Sequence, residues 1–279
     1  MSTLKAQIRV YNLMIVFLSD TKANEERMKK VAGLISFPNF VAISSKGRAG
    51  GVCLFWANEI AVHVLEFNYN TIVVTVTECN IVWFLIGFYG PPSHAKKMKV
   101  WVSLHGLLET IEGPWLCFGD FNVVIDELEK DGGRCGCSST PSFLKDLLFN
   151  LSAVDLGFAG NKFTWSNKRW GRDCIRERLD KGIASINWAL CFLRATVYHL
   201  GALNSNHCLL LIDINPVDTF APRPFRFEAI WAKDLRCYSV IDEAWQKQFC
   251  GSNSFILCRK QFFTTSALKK WNRETFGFC

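Results

Sequence analysis

The sequence predicts a mixed α/β fold made of layered sheets and helices, and two observations support this prediction. Short runs rich in β-branched and aromatic residues follow one another between residues 14 and 89, and again between residues 163 and 214. Segments with apolar residues at helical spacing, residues 94–111 and 141–150, lie between these runs. The 279 residues, 49% hydrophobic and 20% charged, are numerous and apolar enough to bury a core between such layers.

The first part of the chain predicts mainly antiparallel strands. A strand at Met14–Leu18 precedes a polar helix at Asn24–Gly33, which we expect to end at its glycine. Residues 1–12 carry no clear pattern. The connections that follow are short, which favours antiparallel pairing. The strands predicted here are Phe40–Ile43, Val52–Trp56, Ala61–Phe67, Thr71–Thr77 and Ile81–Tyr89.

The second part alternates helices, loops and shorter strands. A strand is predicted from Trp115, and residues 126–140 are predicted to form a polar loop. The predicted helices are His94–Ile111, after Pro91-Pro92, and Pro141–Asn150, whose buried face is Phe143, Leu144, Leu147 and Leu148. The remaining predicted strands are Phe163–Trp165, Ile175–Ile183, Thr196–Leu200 and Cys208–Ile214.

A change of composition predicts a domain boundary near residue 215. Three prolines in residues 215–224 indicate a linker between a domain at 1–214 and a tail at 225–279. The tail shows helical spacing at Ile256–Phe263 and Ala267–Trp271. Residues 222–279 contain ten Lys/Arg and five Asp/Glu, so most of the net charge of +7 lies there. This bias fits a polyanionic partner, although many ordinary proteins carry as much.

Composition also excludes some classes of protein. No apolar run is long enough to span a bilayer, and no secretory signal is recognisable, so we expect an intracellular protein. The twelve cysteines are scattered through apolar runs. The tight pair Cys135 and Cys137 lacks the spacing and partner ligands of a zinc site. We expect mostly reduced, buried thiols rather than a disulfide framework.

The most informative stretch joins an apolar strand to an acid and an amide. Asp120 and Asn122 fall on one face of an extended strand, while Phe121 points to the other face. Gly119 allows close approach of a ligand or of another backbone. Such a pair can hold a carboxylate beside an amide at the end of a sheet. Taken alone, a strand that runs into an Asx turn is the commoner explanation.

Polar residues at the ends of the other predicted strands form an ordered set with this stretch. The motifs of the set are Leu18-Ser19-Asp20-Thr21-Lys22, Phe88-Tyr89-Gly90-Pro91-Pro92, Gly119-Asp120-Phe121-Asn122, Phe163-Thr164-Trp165, Arg178-Leu179-Asp180-Lys181 and Ser205-Asn206-His207. In this order they resemble the endonuclease/exonuclease/phosphatase family, and within it the endonuclease region of plant LINE-type (non-LTR) retrotransposons. The tail segments Phe225–Trp231 and Leu268–Gly277 resemble the region between that endonuclease and a reverse transcriptase.

The resemblance implies a fold and a chemistry. The fold is a four-layer α/β sandwich, with two mixed β-sheets face to face and helices outside. The chemistry is phosphodiester hydrolysis of DNA, with Mg²⁺ (or Mn²⁺) as cofactor. By resemblance, Asp120 orients or activates water, Asn122 and Tyr89 contact the phosphate, and His207 stabilises developing charge while Asp180 orients it. Asp20 and Asn206 occupy the positions of metal ligands.

The resemblance also implies a nucleic-acid surface made of Trp165 and the basic stretch that follows it. The residues implied are Trp165, Lys168, Arg169, Arg172, Arg176 and Arg178. Each candidate has a plainer explanation when taken alone. Trp165 and His207 are more often core residues, Tyr89 can simply end a strand, and Asp180 can pair with a neighbouring cation on the surface. The basic stretch can be an ordinary solvated face.

Three departures from the family pattern predict weak or absent activity. The family's first strand carries an Asn in Trp-Asn-x-Arg-Gly, and the 19 residues before Asp20 do not contain this motif, so we expect that strand to be missing. Asp20 stands where the family usually has Glu, which sets its carboxylate back by about 1.5 Å. Asn206 replaces the Asp of Ser-Asp-His and removes a negative charge; losing one such group can reduce the rate by ~10² to 10³.

Two alternatives therefore stay open beside the endonuclease. One is a catalytically inactive remnant that still binds nucleic acid, with an affinity that falls as salt rises. The other is a phosphatase of the same fold acting on small phosphate esters, which the basic aromatic tail argues against. DNA is the partner that the resemblance implies; no membrane and no obligate protein partner are indicated. Nuclear residence is implied by the resemblance alone.

Overall fold

The computed structural model describes residues 2–47, 50–78, 81–133, 143–202, 205–216, 227, 231, 234–250 and 253–276. The pair Cys135 and Cys137 and most of the predicted linker lie outside the described residues. The chain divides into two compact units, residues 1–216 and 217–279. The helices are α1 (Ser2–Tyr11), α2 (Glu25–Ile35), α3 (His94–Glu109), α4 (Phe143–Asn150), α5 (Ile186–Cys191), α6 (Leu235–Trp245) and α7 (Asn253–Phe276).

Strands outnumber helices in the first unit, and nearly all of the longer strands agree with the predicted positions. They are β1 (Ile15–Ser19), β2 (Asn39–Ile43), β3 (Val52–Trp56), β4 (Ala61–Phe67), β5 (Thr71–Glu78), β6 (Ile81–Tyr89), β7 (Trp115–Asp120), β8 (Lys130–Asp131), β9 (Ala153–Asp155), β10 (Ala159–Gly160), β11 (Trp165–Ser166), β12 (Arg176–Glu177), β13 (Asp180–Ser185), β14 (Thr196–His199) and β15 (Leu210–Asp213).

The central layer is a six-stranded mixed sheet in the order β4-β5-β6-β7-β13-β9. Strands β4, β5 and β6 pair antiparallel, as their short connections predict. Strands β6 and β7 run parallel, and helix α3 lies in the connection between them. One face of this sheet packs against α3 and α4. The cluster there contains Phe88, Trp101, Leu104, Phe121 and Leu147. The predicted helical spacing of α3 and α4 is explained by this contact.

The opposite face of the six-stranded sheet packs against two three-stranded sheets, β1-β3-β2 and β10-β14-β15. Leu54 and Phe17 from the first of these and Ile212 from the second contact the same cluster as Leu85 and Leu116 of the central sheet. Beyond β1-β3-β2, helices α1 and α2 cover its outer face. The order is thus helices, sheets, sheet, helices, which confirms the predicted four-layer α/β sandwich.

Several local predictions are wrong, each for a physical reason. Gly33 lies inside α2, which ends instead at Ser36, whose left-handed conformation (φ 63°) closes the helix. Residues 2–11, which carried no clear pattern, form α1, whose Leu4 and Ile8 pack beside α2. The predicted strand Ile175–Ile183 is two strands, since Arg178 turns inward between them. The packing of α1 beside α2 and the inward position of Arg178 depend on tertiary contacts, which a local pattern does not contain, while the end of α2 depends on the backbone conformation of Ser36.

The second unit has its own small core. Trp231, Cys237, Leu268 and Trp271 are buried together between α6 and α7. The two stretches of helical spacing predicted in the tail belong to the single helix α7.

The cysteines whose side chains the structure describes are free thiols. Cys53, Cys117 and Cys237 are buried, and Cys191 and Cys250 are exposed. Burial raises the pKa of the Cys53 thiol to about 12, which suits an inert core residue. Within the described part of the chain, no helix has the length and apolar character needed to cross a membrane.

Candidate active site

Strand pairing in the central sheet brings three of the predicted residues to one end. Tyr89 at the end of β6 lies beside Asp120 at the end of β7 in the parallel register. Asp180 at the start of β13 faces Asp120 in the antiparallel register. Since neighbouring strands lie about 4.8 Å apart, these side chains share one edge of the sheet. The predicted grouping of these three residues is therefore present.

Asn122 is held in an unusual backbone conformation that locks it to Asp120. Its φ is +53°, in the left-handed region that Asn tolerates better than most residues. Its backbone N–H donates to Asp120 Oδ1 (2.9 Å), and its Nδ2 donates to Asp120 Oδ2 (2.8 Å) and to the carbonyl of Gly90 (2.8 Å). Gly90 must be glycine, because a Cβ there would lie 2.3 Å from the Phe121 carbonyl oxygen.

His207 lies between two carboxylates. Its Nδ1 is 2.8 Å from Asp180 Oδ2, and its Nε2 is 3.9 Å from Asp120 Oδ2. An isolated β-bridge to Trp165 and the hydrogen bond from the His207 N–H to Ser205 Oγ (3.1 Å) fix its backbone. The bond to Asp180 places a proton on Nδ1 and directs Nε2 toward Asp120. The ring can therefore act on a group bound beside Asp120.

Thr164 was not predicted as a site residue, yet it positions Asp180. Its buried Oγ1 accepts hydrogen bonds from the backbone N–H groups of Leu179 and Asp180, both at 2.9 Å. A threonine beside an aromatic residue carries no sequence signal of this role. The contact becomes recognisable only once β11 and β13 are placed together.

Burial and neighbouring charge alter the proton affinity of both central groups. Burial, followed by the negative charge of Asp180, raises the pKa of Asp120 to about 7, against the lowering effects of His207 and the Asn122 N–H. For His207, burial lowers the pKa. The hydrogen bond to Asp180 and the negative charge of Asp180 outweigh burial, and the charges of Asp120 and Asp20 add to them, so the pKa of His207 is raised. Near neutral pH, Asp120 can thus accept a proton, and His207 is protonated more readily than an ordinary imidazole.

Asp20 and Tyr89 line the same cavity as Asp120 and His207. Asp20 Oδ1 accepts the Gly50 N–H (2.8 Å), and its Oδ2 lies 3.1 Å from Lys22 Nζ. Burial, then the charges of Asp20 and Asp120 and a hydrogen bond to Asp20, raise the pKa of Tyr89 to about 12. The Tyr89 phenol therefore keeps its proton and can donate it in a hydrogen bond.

The donor set at this edge fits a divalent cation. One ligand atom each from Asp120, Asp180 and His207 lies within 4.8 Å of the others. Burial, and after it the charge of Asp180, raises the pKa of Asp120, and a bound cation would favour the ionised form against both effects. Asp20 adds a carboxylate to the cavity wall. Asn206 is exposed and is not among the residues that line the cavity, although Ser205 and His207 are.

Lys97 is a further cation that sequence patterns did not single out. Its Nζ donates to the carbonyl of Asn122 (2.7 Å) from the start of α3. Half-burial lowers its pKa, against the attraction of Glu177 and Asp120. Helical spacing identifies the apolar face of α3 but says nothing of a lysine directed at the site, so only the structure reveals it.

The predicted nucleic-acid residues divide into two groups. Trp165 lines the cavity, and Lys168, Arg169, Arg172 and Arg176 are exposed. Arg178 was predicted with them, and this is corrected: its side chain is only 5% exposed and is bound by Glu129 and Asp155. Trp170, which was not predicted, is 94% exposed in the same loop.

Comparison with known proteins adds the fold-level context. No family model matches the sequence, and no curated protein matches it. The AP endonuclease of Leishmania major is similar in structure, with a TM-score of 0.59 and 15% identity, over 75% of this chain and 80% of that one. The 3′ phosphatase NExo from Neisseria, bound to a product DNA hairpin, is similar with a TM-score of 0.59 and 16% identity, over 77% of this chain and 93% of that one. The endonuclease domain of TRAS1, a telomere-specific non-LTR retrotransposon, is similar with a TM-score of 0.57 and 13% identity, over 77% of this chain and 92% of that one.

At such low identity these likenesses establish the fold alone. The chain thus has the α/β sandwich fold of the endonuclease/exonuclease/phosphatase structures, among them a retrotransposon endonuclease.

Proposed function

We propose that residues 1–216 form a metal-dependent phosphodiesterase that cleaves DNA strands with low turnover. The observation that carries the proposal is the placement of His207 between Asp180 (2.8 Å) and Asp120 (3.9 Å). Asn122, Tyr89 and Asp20 line the same cavity. A proton acceptor, a proton donor and neutral hydrogen-bond donors then surround one position where a phosphate can bind.

In the proposed reaction a water molecule attacks the phosphorus atom. Asp120 takes the proton of that water as the new P–O bond forms, and the bond to the leaving oxygen of the DNA strand breaks. The leaving oxygen takes up a proton from solvent. Protonated His207 donates to a phosphoryl oxygen as charge grows on it, and Asp180 holds the ring in place. Tyr89 donates to a further phosphoryl oxygen. Asn122 is proposed to donate to the phosphate after one of its Nδ2 hydrogens leaves Asp120 or the Gly90 carbonyl, which hold both of them in the structure.

The cofactor in this proposal is Mg²⁺ or Mn²⁺. Bound at this edge, the cation would neutralise charge on the phosphate and polarise it toward attack. Asp20, Asp120 and Asp180 offer the oxygen ligands that such ions prefer, and Asn206 is proposed as a further ligand from the rim. Lys22 and the Gly50 N–H already bind the Asp20 carboxylate, so a cation competes with them there. This competition, with the neutral Asn206, supports low turnover.

DNA is proposed as the substrate because of the surface next to the cavity. Lys168, Arg169 and Arg172 are exposed around the solvent-facing Trp170. Cations of this kind bind phosphates, and an exposed indole can stack on a base. We further propose a LINE-like origin and nuclear residence. The support is the ordered set of motifs and the structural likeness to the TRAS1 endonuclease domain. Residues 225–279 would then lead toward a reverse transcriptase.

The test is a plasmid-nicking assay with Mg²⁺ or Mn²⁺ on the full chain. We expect slow nicking that is lost in Asp120→Asn and His207→Ala. The matched control is His63→Ala, since His63 is exposed on β4, away from the site. Nicking that survives both site variants would contradict the proposal, as would equal loss in the control.

A second candidate function is DNA binding without cleavage. The observation in its favour is that Asp20 is already neutralised by Lys22 at 3.1 Å. If no nicking is seen, binding of a labelled duplex decides between the candidates. Binding that ignores Mg²⁺, and weakens in the double variant Arg169→Ala/Arg172→Ala with a salt slope reduced by about 2, would establish the binding function instead.

A further inference from the structure

Two strands of the layer opposite the central sheet each have an unpaired edge. Among the described residues, β1 pairs with β3 alone and β15 pairs with β14 alone. Unpaired edges are usually protected, because they offer a row of backbone donors and acceptors to any extended chain. Here both edges line a cavity.

Hydrogen-bond alternation identifies which groups are free at each edge. The Ala57 N–H donates to the Met14 carbonyl (3.0 Å), so residues 14, 16 and 18 direct their backbone groups toward β3. Ile15, Phe17 and Ser19 therefore direct theirs away from β3. In β15, the bond from the Leu200 N–H to the Leu209 carbonyl (2.9 Å) leaves the groups of Leu210 and Ile212 facing away from β14.

The two free edges are walls of one cavity, of about 1060 Å³. Every residue from Ile15 to Ser19 and from Leu210 to Asp213 lines it. Its floor includes Leu85 and Leu116 of the central sheet, and Gln7 of α1 lies on its outer side. We call this space the interstrand slot.

Buried polar atoms in the walls of the slot also have no partner. Gln7 Oε1 and Trp83 Nε1 are shielded from solvent, and neither has a hydrogen-bond partner among the described residues. Such atoms are rare in folded proteins because leaving them unpaired is unfavourable. They are a second, independent sign that a polar chain is accommodated here.

The direction of the two edges defines how a strand would fit. Asp20 directly follows β1, and His207 precedes β15; the charge of Asp20 acts on His207, so both lie at the same end. β1 therefore runs toward the site and β15 runs away from it. One inserted strand would pair parallel with one edge and antiparallel with the other, each about 4.8 Å away.

We propose that the interstrand slot is a binding site for an extended polypeptide segment supplied by another protein. Its side chains would be apolar at every second position, where they face Leu85 and Leu116, and basic at the end opposite the site. The basic end follows from charge, because Glu78 and Asp213 line the slot there, whereas at the site end Lys22 lines the slot beside Asp20 and Asp120. The segment completes the second sheet by strand addition.

Amide hydrogen exchange on the full chain tests this binding directly, and the readout does not depend on hydrolysis. The probe is the end-blocked peptide Lys-Val-Thr-Val-Thr-Val-Thr-Lys. We expect it to slow exchange at Ile15, Phe17 and Ile212 by at least about tenfold. Val16 and Leu211, whose amides already pair within their sheets, should change little. This alternation along each strand is a pattern that general stabilisation cannot produce.

Two controls make the test decisive. A peptide with proline at the central valine lacks one N–H and should give no protection. Glu78→Gln should weaken binding of the basic peptide several-fold, because it removes a carboxylate at one end of the slot. No protection, uniform protection, or protection of the outer strand β4 instead would overturn the proposal. Protection without peptide that depends on protein concentration would assign the slot to a second copy, and would also overturn it.

Discussion

At the scale of single residues, Asp120 combines burial with a nearby like charge. Both effects favour its protonated form, and its pKa of about 7 follows from them. A carboxylate in this state stabilises the fold poorly once it is ionised, yet it is suited to accept a proton near neutral pH. The side chain is kept in place by Asn122 at the expense of a left-handed backbone.

A first prediction concerns the free energy of unfolding as pH changes. Between about pH 4 and pH 7 the folded state holds a proton on Asp120 that the unfolded chain releases. The stability from this group is therefore complete below pH 4 and is lost as pH rises through 7, by roughly 2–4 kcal/mol. Denaturant titrations should show this loss in the wild type but not in Asp120→Asn. The exposed Glu59→Gln should behave as the wild type does; an unchanged slope in Asp120→Asn would contradict the assignment.

A second prediction concerns Asp180, which acts through His207. Its hydrogen bond and charge raise the pKa of His207 against the effect of burial, so Asp180→Asn should lower that pKa. NMR titration of the imidazole ring measures this change, and the ring of His63 serves as the control in the same spectrum. Any nicking activity should fall by roughly 10²-fold or more, because the ring loses both its orientation and its proton. An unmoved His207 titration would remove Asp180 from this role.

At the scale of elements, a buried ion network joins the segments that carry the site. Arg178 Nη1 contacts Glu129 Oε1 (2.6 Å) and Asp155 Oδ2 (2.7 Å), linking the segment before β8 to β9. Lys181, fully buried, donates to the Val123 carbonyl (3.0 Å) just beyond Asn122 and pairs with Glu129. The turn that holds Asp120 and Asn122 is thus supported from beneath by charged groups.

A third prediction follows for Arg178. Arg178→Ala leaves Asp155 buried without its arginine and leaves Glu129 with Lys181 alone, so the free energy of unfolding should fall by about 3–5 kcal/mol. Its neighbour Arg176, which pairs with Asp131 at the surface, is the matched control, and Arg176→Ala should change stability by about 1 kcal/mol or less. Denaturant titration measures both. Equal effects would show that the buried network does not stabilise the turn.

The element scale also shows what the sequence could predict about the site. Asp120, Asn122 and Tyr89 were recognisable because each directly follows an apolar strand, so local periodicity locates them. Arg178 was misplaced because a lone arginine in a basic stretch looks solvated, and its acidic partners are 23 and 49 positions away. Thr164 and Lys97 were missed for the same reason. Their contacts are with residues distant in the sequence, which no local pattern contains.

At the scale of the whole molecule, the layered fold was predictable and the break in its second sheet was not. Alternating and apolar runs indicated the strands, and helical spacing indicated α3 and α4. The second sheet is two separate three-stranded sheets, with the interstrand slot between them. We expected the first strand of the family pattern to be missing, but this expectation did not predict how the remaining strands would be arranged. The predicted boundary between a domain at residues 1–214 and a tail at residues 225–279 stays a prediction.

A fourth prediction concerns that boundary. The clusters that contain Phe88, Leu54 and Phe55 lie wholly within residues 1–216, while Trp231 and Trp271 belong to a separate core. Residues 1–216 expressed alone should therefore unfold cooperatively, with β-rich circular dichroism and the same His207 titration as the full chain. Non-cooperative unfolding of the shorter chain would show that the second unit completes the fold.

The pairing of Asp120 with Asp180 has a consequence for how the protein folds. The two residues are neighbours in the sheet but 60 positions apart in the chain. Closing so long a loop is entropically unfavourable and must precede the contact of His207 with both acids. Helices α3 and α4 can form from local contacts much earlier. In a refolding experiment the native NMR signal of the His207 ring should thus return after the helical circular dichroism signal. The imidazole then reports the last stage of sheet assembly.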